Sequence, residues 1–214
     1  GYMALCCNTT ANYNTAIGGC TLGLNTTGHR NTGVGNLALK SNTTGICNTA
    51  SGMYALRANT TASANTASGF YALYNNTTAS YNTAVGSSAL QSNTTGDKNT
   101  AVGMKALITN TTGSLNTASG YKSLYTATTA HYNTAFGSCT LYANVTGSEN
   151  TGVGHKALKA NTCGHYNTAI GNDALALNTT ASNNTAVGYR SLKANTTGKI
   201  NTAVGGNAMV NTTS

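Results

Sequence analysis

Residues 99–113 read N-T-A-V-G-M-K-A-L-I-T-N-T-T-G, and this pattern returns along the whole chain with a period of 17 residues. We number the columns of the repeat from its first asparagine, so that Asn99 stands in column 1 and Leu107 in column 9. Gly1 falls in column 5, and Asn211 stands one place early after a one-residue deletion. A fixed period of this kind predicts a single array over residues 1–214. The column 1 residues are Asn14, Asn31, Asn48, Asn65, Asn82, Asn99, Asn116, Asn133, Asn150, Asn167, Asn184 and Asn201.

Three columns carry most of the structural information. Column 9 is Leu in every copy from Leu5 to Leu192 and Met209 in the last, so we expect it to be buried. Column 3 is always Ala or Gly, which indicates that another segment packs closely against it. Column 5 is always Gly, which fits a backbone turn with positive φ or a close approach.

The period and composition together predict an all-β fold. A 17-residue unit is too short for the helix pairs of α-solenoids, whose repeats have about 33 residues or more. Leu, Ile, Val and Phe make up only 31 of the 214 residues, a fraction as low as in disordered chains. However, disordered chains are usually rich in charged residues and proline, whereas here charged residues are 7 % and proline is absent. The segment N-T-A-V-G predicts a short strand, while columns 6–9 fit either a second strand or one helical turn. We therefore predict a parallel β-solenoid (a β-roll or β-helix) of about 12.6 coils (214/17), with asparagine ladders in columns 1 and 12.

Column 4 predicts how chains associate. It follows column 3, so on a strand it faces outward if column 3 faces the core. An apolar stripe on the outside usually marks an interface, and we expect lateral self-association, as a trimer. The alternative is that these are scattered exposed side chains without a partner, which the serines Ser51, Ser68 and Ser119 in the same column would fit. Neither end carries a polar capping repeat, so the array is predicted to continue in a longer shaft or to stack end to end. The predicted assembly seam consists of Val85, Val102, Phe136, Val153, Ile170, Val187 and Val204.

Column 12 creates a recurring Asn-x-Ser/Thr motif. In a secreted eukaryotic protein each copy is a candidate N-glycan acceptor. The alternative is that the coil itself requires Asn and Thr at these places. The candidate acceptors are Asn8, Asn25, Asn42, Asn59, Asn76, Asn93, Asn110, Asn144, Asn178 and Asn195.

The sequence does not indicate catalytic chemistry. The acidic residues Asp97, Glu149 and Asp173 lie in different columns and coils, so no pair of carboxylates converges for acid–base catalysis. The three histidines of column 16 lie at least two coils apart, which is too far to ligate one metal. The six cysteines lack zinc-site spacing, although Cys20 could approach Cys6 or Cys7 in the neighbouring coil. We predict no enzyme activity, no cofactor and no metal site.

The chain carries a net charge of +8, which favours anionic partners as well as solubility. Basic and aromatic side chains gather in columns 7 and 10, on a face that is either a solvated surface or a binding surface for cell-surface carbohydrate. We expect no nucleic-acid partner. No apolar run approaches the roughly 18 residues of a membrane span, so no membrane insertion is expected. Examples of these side chains are Tyr71, Tyr74, Lys156, Lys159, Arg190 and Lys193.

The pattern N-T-A-V-G…A-L…N-T-T-G resembles repeats of bacteriophage tail-fibre shafts and related large surface proteins, over the whole chain. It resembles more loosely the head repeats of trimeric autotransporter adhesins, whose coil is shorter than 17 residues. The resemblance implies a stiff shaft at an extracellular or virion surface, with or without an adhesive role.

Three functions are therefore compared. The leading one is a structural fibre shaft, and the second is an adhesin that binds carbohydrate. The third is an ice-binding solenoid, because regular Thr arrays on a flat face could match an ice surface. Column 2 is Thr in all twelve copies from Thr15 to Thr202, but Asn and Ala flank it, so the sequence predicts no paired Thr-x-Thr rank.

Overall fold

The computed structural model describes residues 1–211, and it confirms the predicted all-β solenoid. Within these residues each strand lies beside the strand of the next coil, in parallel, and the order in the sheet equals the order in the chain. The strands are β1 Thr15–Ile17, β2 Thr32–Val34, β3 Thr49–Ser51, β4 Thr66–Ser68, β5 Thr83–Val85, β6 Thr100–Val102, β7 Thr117–Ser119, β8 Thr134–Phe136, β9 Thr151–Val153, β10 Thr168–Ile170, β11 Thr185–Val187 and β12 Thr202–Val204.

The pairing register follows the 17-residue period without a slip. Thr100 of β6 pairs with Thr117 of β7, and Ala101 pairs with Ala118. Each strand therefore places identical columns next to each other, at the roughly 4.8 Å spacing of neighbouring strands. A residue's column therefore determines its position in the cross-section of the solenoid.

The core is narrow and repeats once per coil. Leu107 in column 9 is fully buried, and so are Ala101 in column 3 and Ala106 in column 8. The same three columns form one continuous buried cluster along the coils. The inward assignment of columns 3 and 9 is thus confirmed, and the small side chain in column 3 lets the strand lie close to the leucines.

Columns 6–11 form neither of the two elements that the sequence left open. Within residues 1–211 the structure has no helix, and this part of each coil is a series of turns. In the sixth coil the amides of Ala106 and Asn110 donate to the carbonyls of Gly103 and Leu107 in the same coil. The amide of Leu107 donates forward to the carbonyl of Ser123 in the next coil. The backbone is therefore paired along the axis even where no strand exists.

Left-handed backbone conformations are built into every complete coil. Lys105 (φ 59°), Leu107 (φ 50°) and Leu115 (φ 60°) show the three non-glycine positions, columns 7, 9 and 17. Such a conformation costs roughly 1–2 kcal/mol for a residue with a side chain. Column 5 differs, because Gly103 has φ 130° and a Cβ added there would lie 2.6 Å from the carbonyl oxygen of Gly120. Glycine is required at this column, whereas the other three columns tolerate strain because neighbouring coils hold the backbone.

Candidate functional site

The most regular polar feature of the molecule is the buried asparagine ladder of column 12. Asn42 donates from Nδ2 to Oδ1 of Asn25 in the preceding coil (2.8 Å), and Asn59 donates in the same way to Asn42 (2.8 Å). Each of these amides also donates within its own coil, as Asn42 does to the carbonyl of Gly45 (3.0 Å). The ladder therefore joins successive coils and closes each coil at once.

The column 1 asparagines form a second ladder of a different kind. Oδ1 of Asn31 accepts the backbone N–H of Asn48 (2.9 Å), and Nδ2 of Asn31 donates to the carbonyl of Gly45 (2.8 Å). Asn42 of column 12 donates to that same carbonyl. Two buried asparagines of one coil thus converge on the carbonyl of column 15, which fixes the shape of the coil there.

Burial bears directly on the predicted glycan acceptors. Nine of them are fully buried, and each donates its Nδ2 to the carbonyl of column 15 in its own coil, as Asn93 does to Gly96 (2.9 Å). Only Asn8, in the incomplete coil before Asn14, is partly exposed, and it donates to the carbonyl of Ala11. A glycan on any of the nine nitrogens would have to displace these bonds, so the folded coil has no room for one. The nine are Asn25, Asn42, Asn59, Asn76, Asn93, Asn110, Asn144, Asn178 and Asn195.

The column 12 ladder is interrupted in the seventh coil. Ala127 stands where the other coils carry Asn, and it is fully buried. Oδ1 of Asn110, one coil before it, is buried and has no hydrogen-bond partner among the described residues. Nδ2 of Asn144, one coil after it, donates to Gly147 (2.8 Å) inside its own coil. The interface around the seventh coil therefore lacks two of the hydrogen bonds that join coils elsewhere.

The predicted seam lies on the outer face of the sheet. The exposed fraction is 37 % for Val153, 55 % for Phe136 and 71 % for Val204, while Val187 is partly buried. The outward orientation of column 4 is therefore as predicted, and Val85, Val102 and Ile170 are exposed in the same way. Column 2 faces outward beside it, because residues two apart on a strand share a face. The outer face is thus a rank of Thr next to a rank of mainly apolar side chains.

Column 16 has a structural function that sequence reasoning missed. Its side chains accept the backbone N–H of the preceding coil, as Nδ1 of His131 does from Ser114 (3.0 Å) and Nδ1 of His165 does from Ser148 (3.0 Å). Asp97 Oδ1 accepts from Ser80 in the same way (2.6 Å). The signal was visible in the sequence, because column 16 carries a side-chain acceptor in every coil from Ser63 to Ser182.

The remaining reactive groups do not converge. No group of three or more His, Cys, Asp or Glu side chains in residues 1–211 is placed to hold a metal ion. All six cysteines are free, and the closest approach is 3.8 Å between the Sγ atoms of Cys6 and Cys7. The contact with Cys6 raises the pKa of the Cys7 thiol. Cys20 does not bond to either of them. A cleft of about 370 Å³ is lined by Tyr132 and Glu149.

Columns 7 and 10 lie next to each other on the surface of the solenoid. Tyr71 of column 7 and Tyr74 of column 10 have ring centroids 4.8 Å apart. Asp173 of column 7 lies 4.0 Å from Nζ of Lys193 in column 10 of the next coil. The two columns therefore contact each other both within a coil and between coils.

Comparisons with protein-family models, with curated proteins and with solved structures returned no match. Within the described part of the chain, no helix has the length and apolar character needed to cross a membrane. The function must therefore be argued from the faces of the solenoid.

Proposed function

We propose that this chain is a non-catalytic structural rod that forms part of a fibre shaft at an extracellular or virion surface. The observation that carries the proposal is the single parallel sheet, in which every strand from β1 to β12 pairs in register with its sequence neighbour. Such an array has nearly the same cross-section along its length and is stabilised by contacts between adjacent coils rather than by one central core. A shaft requires these two properties.

The length of the rod provides the first test. At about 4.8 Å per coil, the whole chain would extend for roughly 60 Å. Deletion of residues 99–115 removes one complete repeat and should shorten the rod by about 5 Å while the β signal in circular dichroism is retained. Deletion of eight residues, 99–106, puts the later columns out of register with the earlier ones and should unfold the coils at the junction, with a loss of β signal. Equal tolerance of both deletions in circular dichroism and small-angle scattering would refute the rod.

Lateral association through the outer face of the sheet completes the fibre proposal. The seam presents apolar side chains at intervals of one coil or a small multiple of it, and covering one of its exposed members would contribute roughly 0.5–2 kcal/mol. A second copy of the chain fits this face, because its own seam has the same spacing. We propose a trimer of such rods, joined side by side and stacked end to end.

The seam can be tested without disturbing the core. The double substitution Val187→Lys and Val204→Lys should lower the mass measured by light scattering and leave the circular dichroism spectrum unchanged. The matched control is Thr180→Lys with Thr197→Lys, which adds the same charge at exposed positions of column 14. If the parent is monomeric at high concentration, or if both double variants dissociate equally, association through the seam is refuted.

The ice-binding alternative receives less support from the geometry. Thr of column 2 shares its face with column 4, so the rank is Thr-x-Val, Thr-x-Ile, Thr-x-Ser or Thr-x-Phe and never Thr-x-Thr. Phe136 stands 55 % exposed in the middle of this face and interrupts its flat surface. We therefore propose that the face binds another chain.

Adhesion to carbohydrate is the second candidate function. The observation that favours it is the face of columns 7 and 10, where basic and aromatic side chains contact each other. Binding of the purified protein to bacterial cells, measured before and after periodate oxidation of their surface glycans, tests it. Binding that survives the oxidation unchanged would argue against a carbohydrate partner.

A further inference from the structure

The positive charge of this protein is concentrated along one edge of the rod. We call the side chains of columns 7 and 10 the basic face. It carries eight of the eleven Lys and Arg residues but only one of the three acidic residues, Asp173. The rest of the chain carries three cations and two carboxylates, so it is nearly neutral. The cations of the basic face are Lys40, Arg57, Lys105, Lys122, Lys156, Lys159, Arg190 and Lys193.

Most cations of this face have no carboxylate partner. In residues 1–211 the ion pairs join Asp173 to Arg190 (3.9 Å) and to Lys193 (4.0 Å), both on the basic face. The other six cations form no ion pair there, and all are at least partly exposed. A row of uncompensated positive charges raises the potential along the rod and attracts anions.

Aromatic rings hold several of these cations in position. The guanidinium of Arg57 lies 5.5 Å from the ring of Tyr74, and its Nη1 donates to the Tyr74 hydroxyl (3.0 Å). Nζ of Lys122 lies 5.3 Å from the ring of Tyr125, and contact with the adjacent Tyr121 raises the pKa of Lys122. These cations are therefore oriented without being neutralised.

Two stacked pairs of rings on this face present their edges, rather than their faces, to the outside. Tyr125 and Tyr142 occupy column 10 of adjacent coils and stack with centroids 5.0 Å apart and planes 3° apart. Tyr54 and Tyr71 of column 7 stack in the same way, at 4.9 Å and 19°. Because these separations match the rise of one coil, the rings stack along the rod axis. A partner beside the rod meets ring edges, phenolic hydroxyls and cations.

We propose that the basic face binds a linear anionic polysaccharide, of the polyuronate class, lying parallel to the rod axis. The inference rests on the rod of the proposed function, since only a straight array keeps the charges in line. Carboxylates on successive sugars would pair with Lys and Arg, and sugar hydroxyls would bond to the phenolic hydroxyls. Single-stranded nucleic acid fits less well, because its binding sites use open aromatic faces on which bases stack.

Binding to polygalacturonate tests the proposal. The on-face variant carries Lys105→Gln, Lys156→Gln and Lys159→Gln. The matched control carries Arg30→Gln, Lys98→Gln and Lys199→Gln, three exposed cations outside the basic face. Both lose the same net charge. At roughly 0.15 M ionic strength, where exposed charges beyond about 8 Å are screened, we expect the on-face variant to weaken binding at least about tenfold and the control less than about threefold.

Two further measurements make the outcome decisive. The double variant Tyr125→Phe with Tyr142→Phe retains the stacked rings and removes two hydroxyls. It should weaken binding to polygalacturonate by about threefold or more, because that is the effect of losing one hydrogen bond. Neutral dextran should not bind. The proposal is overturned if polygalacturonate does not bind the parent, if both charge variants weaken binding equally, or if oligo(dT) binds more tightly with the same on-face dependence. Small-angle scattering on the same samples reports the rod separately, so that a failed binding experiment does not refute the shaft.

Discussion

Replacing Ala127 by Asn should stabilise the rod. The seventh coil is the place where the column 12 ladder is interrupted, and Oδ1 of Asn110 is left buried without a partner. An Asn at position 127 would donate to this oxygen and to the carbonyl of Ala130, as Asn110 donates to Asn93 (2.8 Å) and to Gly113 (2.9 Å). Its own Oδ1 would accept Nδ2 of Asn144. The substitution therefore completes a pattern that the flanking coils already fix.

The magnitude follows from those three bonds. A typical intramolecular hydrogen bond contributes about 1 kcal/mol net, and an unsatisfied buried polar atom costs about 1–3 kcal/mol. After allowance for the side-chain entropy lost by the new Asn, we expect Ala127→Asn to raise the free energy of unfolding by about 1–3 kcal/mol. Because contacts are between neighbours, the gain should be concentrated at the interfaces of the sixth, seventh and eighth coils.

Urea unfolding, monitored by circular dichroism, measures the change in the free energy of unfolding. Amide hydrogen exchange around Thr111 and Thr128 shows which coils gain the stability. The matched control is Asn59→Ala, which creates the same interruption elsewhere in the ladder and should cost about 2–4 kcal/mol. An Ala127→Asn variant that folds normally but unfolds at the same or lower urea concentration would show that the ladder does not determine the stability of this interface.

Two other substitutions test the core and the backbone. Leu107→Asp should unfold the array locally, at a cost of several kcal/mol, because it buries a charge in the apolar column; unchanged thermal melting would contradict the inward assignment. Lys98→Gly should stabilise the fold by about 0.5–1 kcal/mol, because Lys98 has a left-handed backbone (φ 58°) that glycine adopts without strain. The control is Lys159→Gly, at an exposed position that is not left-handed, which should destabilise the fold by a similar amount. Equal urea midpoints for these two glycine variants would mean that the left-handed backbone is not strained.

The period and the column identities predicted most of the cross-section. A column that is never polar, such as that of Leu107, must be inside, and a strand then forces Ala101 inward and Val102 outward. No comparable rule applied to columns 6–11. Lys105 and Leu107 adopt the left-handed conformation although neither is Gly or Asn. The backbone N–H of Lys105 donates a hydrogen bond to the preceding coil and that of Leu107 donates one to the following coil, and these bonds impose the conformation. Sequence propensity does not contain that information.

The polar columns were predicted only in part. The sequence predicted asparagine ladders, but it did not predict that two asparagines of one coil would donate to the same carbonyl. Asn31 and Asn42 are eleven residues apart and come together only when the coil closes. The same closure buries the asparagines of the Asn-x-Ser/Thr motifs, which a sequence motif alone cannot show. The structural function of His131 was missed because a ring nitrogen that accepts the backbone N–H of another coil leaves no pattern within its own coil.

The division of columns among faces has a consequence for how this protein can vary. Stability depends on columns 1, 3, 9 and 12, which point inward and contact the same columns of the next coil. In our proposals, association depends on column 4 and binding of a polyanion depends on columns 7 and 10, and these columns point outward on different faces. A change such as Val153→Lys on the seam therefore leaves the leucine column and the ladders intact, and a change such as Lys156→Gln on the basic face leaves the seam intact. Stability, assembly and binding can each be altered by substitutions that leave the other two unchanged, which allows the shaft and the adhesion proposals to be tested on one folded scaffold.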